Sequence, residues 1–164
     1  MLPTDRPTHV VTATARLNAH PRAVYDTIAN YRTGYPRILP KQFSGLTVEQ
    51  GGVGAGTVIT FNVRLLGRSD TYRAVITEPE PGRVLVEKNI LGNDACTTFV
   101  VDSGVHPNEA VVTIRTELTV RRGWIGAIER VLMTRLLHPM YEEELKRLES
   151  AAREHDVMAA TATA

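Results

Sequence analysis

The stretch Gly82-Arg-Val-Leu-Val-Glu-Lys-Asn-Ile90 holds the two residues whose types point most directly to chemistry, Glu87 and Lys88. Val84, Val86 and Ile90 share the parity of Lys88, so apolar alternation along a half-buried strand points the lysine inward. A buried ammonium is costly unless paired, so an inward Lys88 implies an anionic ligand group or a nearby carboxylate. On the opposite parity Leu85, Glu87 and Asn89 form the inward set, and Glu87 becomes the polar group of the interior. Tyr72, one strand earlier, is of a type that donates a hydrogen bond to a bound carbonyl, and Thr116 interrupts an apolar strand face in a similar way. His138 and Tyr141 flank Pro139 in the last long element. For Tyr72, Thr116 and His138 the plainer alternative is structural: a satisfied core hydroxyl, or a histidine beside a local helix break.

Other constellations carry less. The five histidines show no metal-ligand spacing, and Cys96 is the only cysteine, which excludes an intrachain disulfide and argues against a thiolate site. No metal and no cofactor are expected. The glycine run Gly51-Gly-Val-Gly-Ala-Gly56 joins two antiparallel strands and precedes no helix, so it is not a dinucleotide fingerprint. Arg32, Arg37 and Lys41 read as a solvated basic rim.

The elements that must position these residues follow from periodicity. Val11, Ala13, Ala15 and Leu17 alternate with polar residues as a strand, and Pro21 opens a short helix to Tyr31. Gly34, Pro36 and Pro40 limit the next helical piece to Tyr35–Leu39. From Phe43 to Arg122 the period is two, broken at glycine- and proline-rich turns, which implies a six-strand antiparallel meander. Its expected inward set includes Ile59, Phe61, Val63, Tyr72, Ile76, Val112, Ile114 and Leu118.

Trp124 to His155 is helical but carries two apolar stripes: Trp124, Ile125, Ile128, Val131 and Leu132, then Leu137, Tyr141, Leu145 and Leu148. On a straight helical projection they lie on opposite sides. Pro139 lies between them, and a kink or short break there would let both face one sheet. The alternative is a straight helix with one stripe covered by a partner.

Composition bounds the rest. The chain has 164 residues, with nineteen Lys and Arg against eighteen Asp and Glu, a net charge of +1. That length suits one domain with its own core, expected over residues 8–156 between tails at 1–7 and 157–164. The near-zero charge gives no nucleic-acid footprint. No secretory h-region and no apolar run of membrane-spanning length is present, so a cytoplasmic domain is expected.

The fold class read from this order is α+β, a curved antiparallel sheet of about seven strands wrapped around a long C-terminal helix. At Ala19-x-Pro21-x-x-Val24-Tyr25, Ile38-Leu39-Pro40, the glycine turn GGVGAGTVITFNV and the Pro-Gly hairpin ITEPEPGRVLVE, the sequence resembles the START-like, Bet v 1-like helix-grip superfamily. The likeness is to its bacterial polyketide cyclase/dehydrase and lipid-transport branch, over roughly Thr8 to Glu154. The resemblance implies a cavity between sheet and helix for an apolar small molecule, and it transfers no catalytic residue. The expected lining is Phe61, Val63, Tyr72, Ile76, Val86, Lys88, Ile114, Thr116, Leu132, Leu136 and Tyr141.

Three functions fit. The first is non-covalent binding or transport of an apolar small molecule such as a lipid, polyketide or quinone. The second is a cyclase, aromatase or dehydratase acting in the same cavity. The third is a protein-interaction module resembling the quinone-binding and ribosome-associated relatives. An enzyme requires at least two inward polar groups with perturbed pKa values facing one void. A carrier requires a continuous apolar void with one polar anchor, and an interaction module a filled core with an exposed patch. The stretch WIGAIERVLMTRLL is apolar enough to raise membrane-surface contact, although sheet packing accounts for the same residues. Monomer and homodimer stay open.

Overall fold

The computed structural model describes residues 6–163. The elements run β1 (Thr8–Leu17), α1 (Pro21–Ala29), α2 (Tyr35–Ile38), β2 (Phe43–Gln50), β3 (Val58–Leu65), β4 (Arg68–Glu80), β5 (Val84–Asn89), β6 (Cys96–Ser103), β7 (Ala110–Thr119) and α3 (Gly123–Ala162). All strands pair antiparallel in one curved sheet ordered β1-β7-β6-β5-β4-β3-β2, and α3 packs against it. The chain has the helix-grip α+β architecture. The expected tail at residues 1–5 lies outside the described residues; at the other end α3 continues as helix through Ala162.

Local chemistry explains the boundaries. On β1, Val11, Ala13 and Leu17 are buried while Thr12, Thr14 and Arg16 are exposed. His20 caps α1, its Nδ1 accepting from the Arg22 amide at 3.2 Å, and Pro21 occupies the first turn, where no amide donor is needed. Leu39 is extended because Pro40 follows, which ends α2. Between α1 and α2 the backbones nearly touch: a Cβ on Gly34 would lie 2.3 Å from the Thr27 carbonyl oxygen. That contact turns the chain back and sets Tyr31 and Tyr35 over the sheet.

Strand β5 reverses the expected parity. Leu85, Glu87 and Asn89 are buried, whereas Lys88 is exposed and Val86 lies on the same outer face as Lys88. Register is the cause. Glu87 pairs with Ile76 on one side and Thr97 on the other, and Leu85 pairs with Phe99. Directly opposed residues in an antiparallel pair share a face. The buried Ile76 and Phe99 therefore carry Glu87 and Leu85 inward. β5 is the central strand, and valines on its outer face misled the alternation.

The last helix also departs from expectation. α3 is unbroken through Pro139. Its second stripe is core, with Leu137, Tyr141, Leu145 and Leu148 all buried, but the first stripe does not join it on the sheet. Trp124 is 75% exposed, and Ile128 and Val131 are 57% exposed. The chain start of α3 is held instead by Glu129, whose carboxylate accepts from the Arg121 amide at 2.9 Å and from Arg121 Nε at 2.5 Å. No helix among the described residues is long and apolar enough to cross a membrane.

Candidate active site

Between the sheet and the middle of α3 lies a cavity of about 100 Å³, a volume of roughly three liquid waters. The β-strands supply Phe61 and Val63 (β3), Tyr72 and Ala74 (β4), Glu87 and Asn89 (β5), Thr97 and Phe99 (β6) and Thr116 and Leu118 (β7). Helix α3 closes the other side with Met133, Leu137, Met140, Tyr141 and Glu144, and Tyr35 reaches in from α2. The rings are ordered. Phe61 stacks on Tyr72 with centroids 5.6 Å apart and planes 8° from parallel, and Tyr35 meets Phe99 edge-on at 6.4 Å.

Glu87 is held in this cavity by two tyrosines. Tyr31 Oη donates to its Oε1 at 2.7 Å, and Tyr35 Oη donates to its Oε2 at 3.1 Å. Burial pushes the carboxyl up to about 7, although both tyrosine hydrogen bonds pull it down. Glu144 sits across from it on α3, 3% exposed, with Oε1 lacking any hydrogen-bond partner. Desolvation holds the Glu144 carboxyl well above the usual carboxylate range, and the charge of Glu87 adds to the shift. No Lys, Arg or His lines the cavity among the described residues. The two acids thus face one apolar void without a counter-cation.

A second polar chain crosses the floor. Tyr141 Oη donates to Thr116 Oγ1 at 2.6 Å, and Thr116 Oγ1 lies 2.8 Å from Thr97 Oγ1. Asn89 is fully engaged: its amide nitrogen donates to the carbonyl oxygens of Leu91 and Asn93, and its Oδ1 accepts from the Arg73 amide at 3.1 Å. It anchors the β5–β6 loop.

The expected lining residues fall into three groups. Phe61, Val63, Tyr72, Thr116 and Tyr141 line the cavity. Ile76 and Ile114 are fully buried beside it, Leu132 is half-buried on α3, and Leu136 lines an outer vestibule. Val86 and Lys88 are on the far face of the sheet, so no lysine anchors a ligand here. Sequence reasoning missed Tyr31, Tyr35 and Glu144. Glu144 did have a signal: it falls at helical spacing between Tyr141 and Leu148, inside the buried stripe. Tyr31 and Tyr35, four apart around a glycine, had none beyond their need for hydroxyl partners once buried.

The vestibule, an open groove of about 770 Å³, shares Leu65, Tyr72, Leu118 and Met133 with the cavity and so adjoins it. A second open groove, near His20, Asp26 and His106, contains neither buried acid.

Comparison with known proteins agrees with this fold. No curated protein matches the chain. The solution structure of KanY protein is similar at 26% identity and a TM-score of 0.76, covering 92% of this chain and 99% of that one. The Zhui aromatase/cyclase from Streptomyces matches at 14% identity and a TM-score of 0.73, over 90% and 94% of the two chains. Norcoclaurine synthase from Thalictrum flavum, solved with dopamine and hydroxybenzaldehyde, matches at 17% identity and a TM-score of 0.69, over 92% and 89%. The family model described as polyketide cyclase / dehydrase and lipid transport matches residues 8–153. The chain belongs to that polyketide cyclase/dehydrase and lipid-transport family.

Proposed function

We propose that the protein is an acid–base enzyme that enolises a small carbonyl compound and drives ring closure or loss of water within the cavity. One observation carries this reading: Glu87 and Glu144 are both buried, both raised in pKa, and both face the same void. A carboxyl near 7 is partly ionised at neutral pH and suits a general base. The Glu144 carboxyl, which desolvation holds well above the usual carboxylate range, suits a general acid. Glu87 takes a proton from the carbon beside a carbonyl while Glu144 gives its own to the carbonyl oxygen, forming the enol. The enol carbon then attacks a second carbonyl of the same chain, whose oxygen takes the proton Glu87 acquired while the enol hydroxyl returns its proton to Glu144. Glu87 next removes the remaining hydrogen from the new ring carbon as Glu144 protonates the departing hydroxyl, and water leaves. Tyr31 and Tyr35 hold Glu87 in place and moderate its basicity.

Size divides the labour. The cavity takes only the reacting end, and the vestibule takes the rest of the molecule along Leu65, Tyr72, Leu118 and Met133. Fold neighbours that include an aromatase/cyclase support the reaction class. The apolar lining is also what a carrier needs, but a carrier has no use for two uncompensated acids.

The test is a linear seven-carbon triketone, whose terminal carbon can close on the far ketone with loss of water to give an aromatic diol. Its appearance is followed by absorbance. The wild-type protein is expected to accelerate closure, and Glu87→Gln to lose about 10²- to 10⁴-fold of that acceleration. Saturable binding of the triketone with no closure by wild type would replace this reading with the carrier.

A further inference from the structure

At the vestibule end of the sheet the chain exposes apolar side chains that the fold does not use. Trp124, Ile128 and Val131 recur at i, i+4 and i+7, so they form one face of α3. His9 Nε2 hydrogen-bonds Thr134 Oγ1, and His9 pairs with Leu118 near the end of β7. The helix C-terminal to this point packs toward α1 and α2, with Arg147 donating to the Leu39 carbonyl. The turns just before Thr134 still line the vestibule, with Glu129 and Met133 against Leu65, Leu66 and Tyr72, and only the first turns, Gly123 to Ile128, lie beyond it. Two further tips reach the same end. Leu66, 69% exposed, sits at the β3–β4 turn with φ 51°, a left-handed conformation rare for a branched side chain. Leu91 is exposed on the β5–β6 loop.

We propose that this end docks on an anionic lipid bilayer, with the first turns of α3 lying in the headgroup layer and the vestibule facing the membrane. Charge selects this occupant. Arg121 is engaged by Glu129, and Arg130 and Arg135 add two further positive charges to the same stretch, in a chain whose total is only +1. Apolar residues on a helix flanked by arginines match an anionic interface, where both the buried area and the surface potential contribute. A second copy of the chain matches poorly, because a two-fold interface here would bring two equally basic segments together. Three separate elements, a hairpin tip, a loop and an overhanging helix, also present their apolar residues at one end, as a planar surface requires. The vestibule opens there, lined by Leu66 and Arg121. The inference is independent of the proposed reaction.

Trp124 is the only tryptophan, so the protein carries its own probe. Vesicles of phosphatidylcholine and phosphatidylglycerol in a two-to-one ratio should shift its emission to the blue, and brominated acyl chains should quench it. Added salt should reverse both effects. The R130Q/R135Q double variant should bind about 30-fold more weakly, and Ile128→Asp, checked for fold by circular dichroism, should not bind measurably. No shift with the mixed vesicles, or equal binding to pure phosphatidylcholine, would overturn the proposal. So would retained binding by Ile128→Asp. A blue shift that grows with protein concentration in the absence of lipid would assign the face to a second copy instead.

Discussion

The two ends of α3 have similar apolar content and opposite fates. From Leu137 to Ala152 the helix buries Leu137, Met140, Tyr141, Leu145 and Leu148 against the sheet and the short helices. From Gly123 to Leu136 only Gly126 is buried, and Trp124, Ile128 and Val131 face outward. The difference is one of cover, not of composition. Met133 and Leu136 of the first stretch still border the sheet, whereas Trp124, Ile128 and Val131 are exposed with nothing covering them. An apolar stripe on a helix states a need for a partner and leaves the partner unnamed.

The comparison is tested most strongly from its buried half. Leu148 is fully enclosed, and Leu148→Ala should cost about 2–5 kcal/mol in denaturant unfolding, through lost transfer energy and the cavity left behind. A cost below about 1 kcal/mol would mean that the second stripe is as loosely covered as the first.

The same half of the helix holds Glu144 against Glu87, and their burial should appear in the pH dependence of stability. A carboxyl with a higher pKa folded than unfolded holds its proton more tightly in the folded state. Stability from Glu87 is therefore full below the ordinary carboxylate range and is lost as pH rises toward about 7, after which it levels. The loss should be about 3 kcal/mol for Glu87. Glu144, whose carboxyl is also raised by burial, adds a loss of the same sign. Unfolding of Glu87→Gln between acid and neutral pH should show a flatter profile than wild type, because the glutamine cannot ionise. An unchanged profile would show that Glu87 is not the titrating group.

Tyr31→Phe should have a smaller effect. It removes the 2.7 Å hydrogen bond to Glu87 and leaves Tyr35 as the remaining tyrosine donor. Loss of one such bond should cost about 1–2 kcal/mol near neutral pH. Since that bond lowers the Glu87 pKa, its removal should move the Glu87 titration upward. A downward movement, followed by carboxyl NMR, would show that the Tyr31 bond does not favour the ionised form of Glu87.

The fold was legible because long-period patterns report it directly. β1 and β3 alternate cleanly, and their inward residues Val11, Ala13, Ile59, Phe61 and Val63 are the buried ones. The site was legible only in part. Phe61, Tyr72, Thr116 and Tyr141 lie on strands or helix faces whose period is unambiguous, and they line the cavity. Lys88 was drawn inward by Val84, Val86 and Ile90, but a central strand carries apolar residues on both faces, so alternation on β5 alone does not select one. The choice was made by neighbours distant in sequence, Ile76 and Phe99. Tyr31 and Tyr35 reach Glu87 over more than fifty residues of chain, a separation no local pattern encodes. Glu144 was hidden differently, as one of three consecutive glutamates of which only its helical phase marks it as buried.

The smallest effect is the one that sharpens the comparison. Trp124 is the largest side chain in α3 and lies 75% exposed on its overhanging first turns. If the fold makes no use of this face, Trp124→Ser should change unfolding free energy by less than about 0.5 kcal/mol, as surface substitutions do. That would place the largest aromatic residue of the helix well below Leu148 in its contribution to stability. The comparison is therefore between two unfolding curves recorded under the same conditions without lipid. A loss above about 1 kcal/mol in Trp124→Ser would mean that the first stripe is packed in solution, and the contrast between the two halves of α3 would collapse. A small change, with vesicle binding lost in the same variant, would separate folding from docking along one continuous helix.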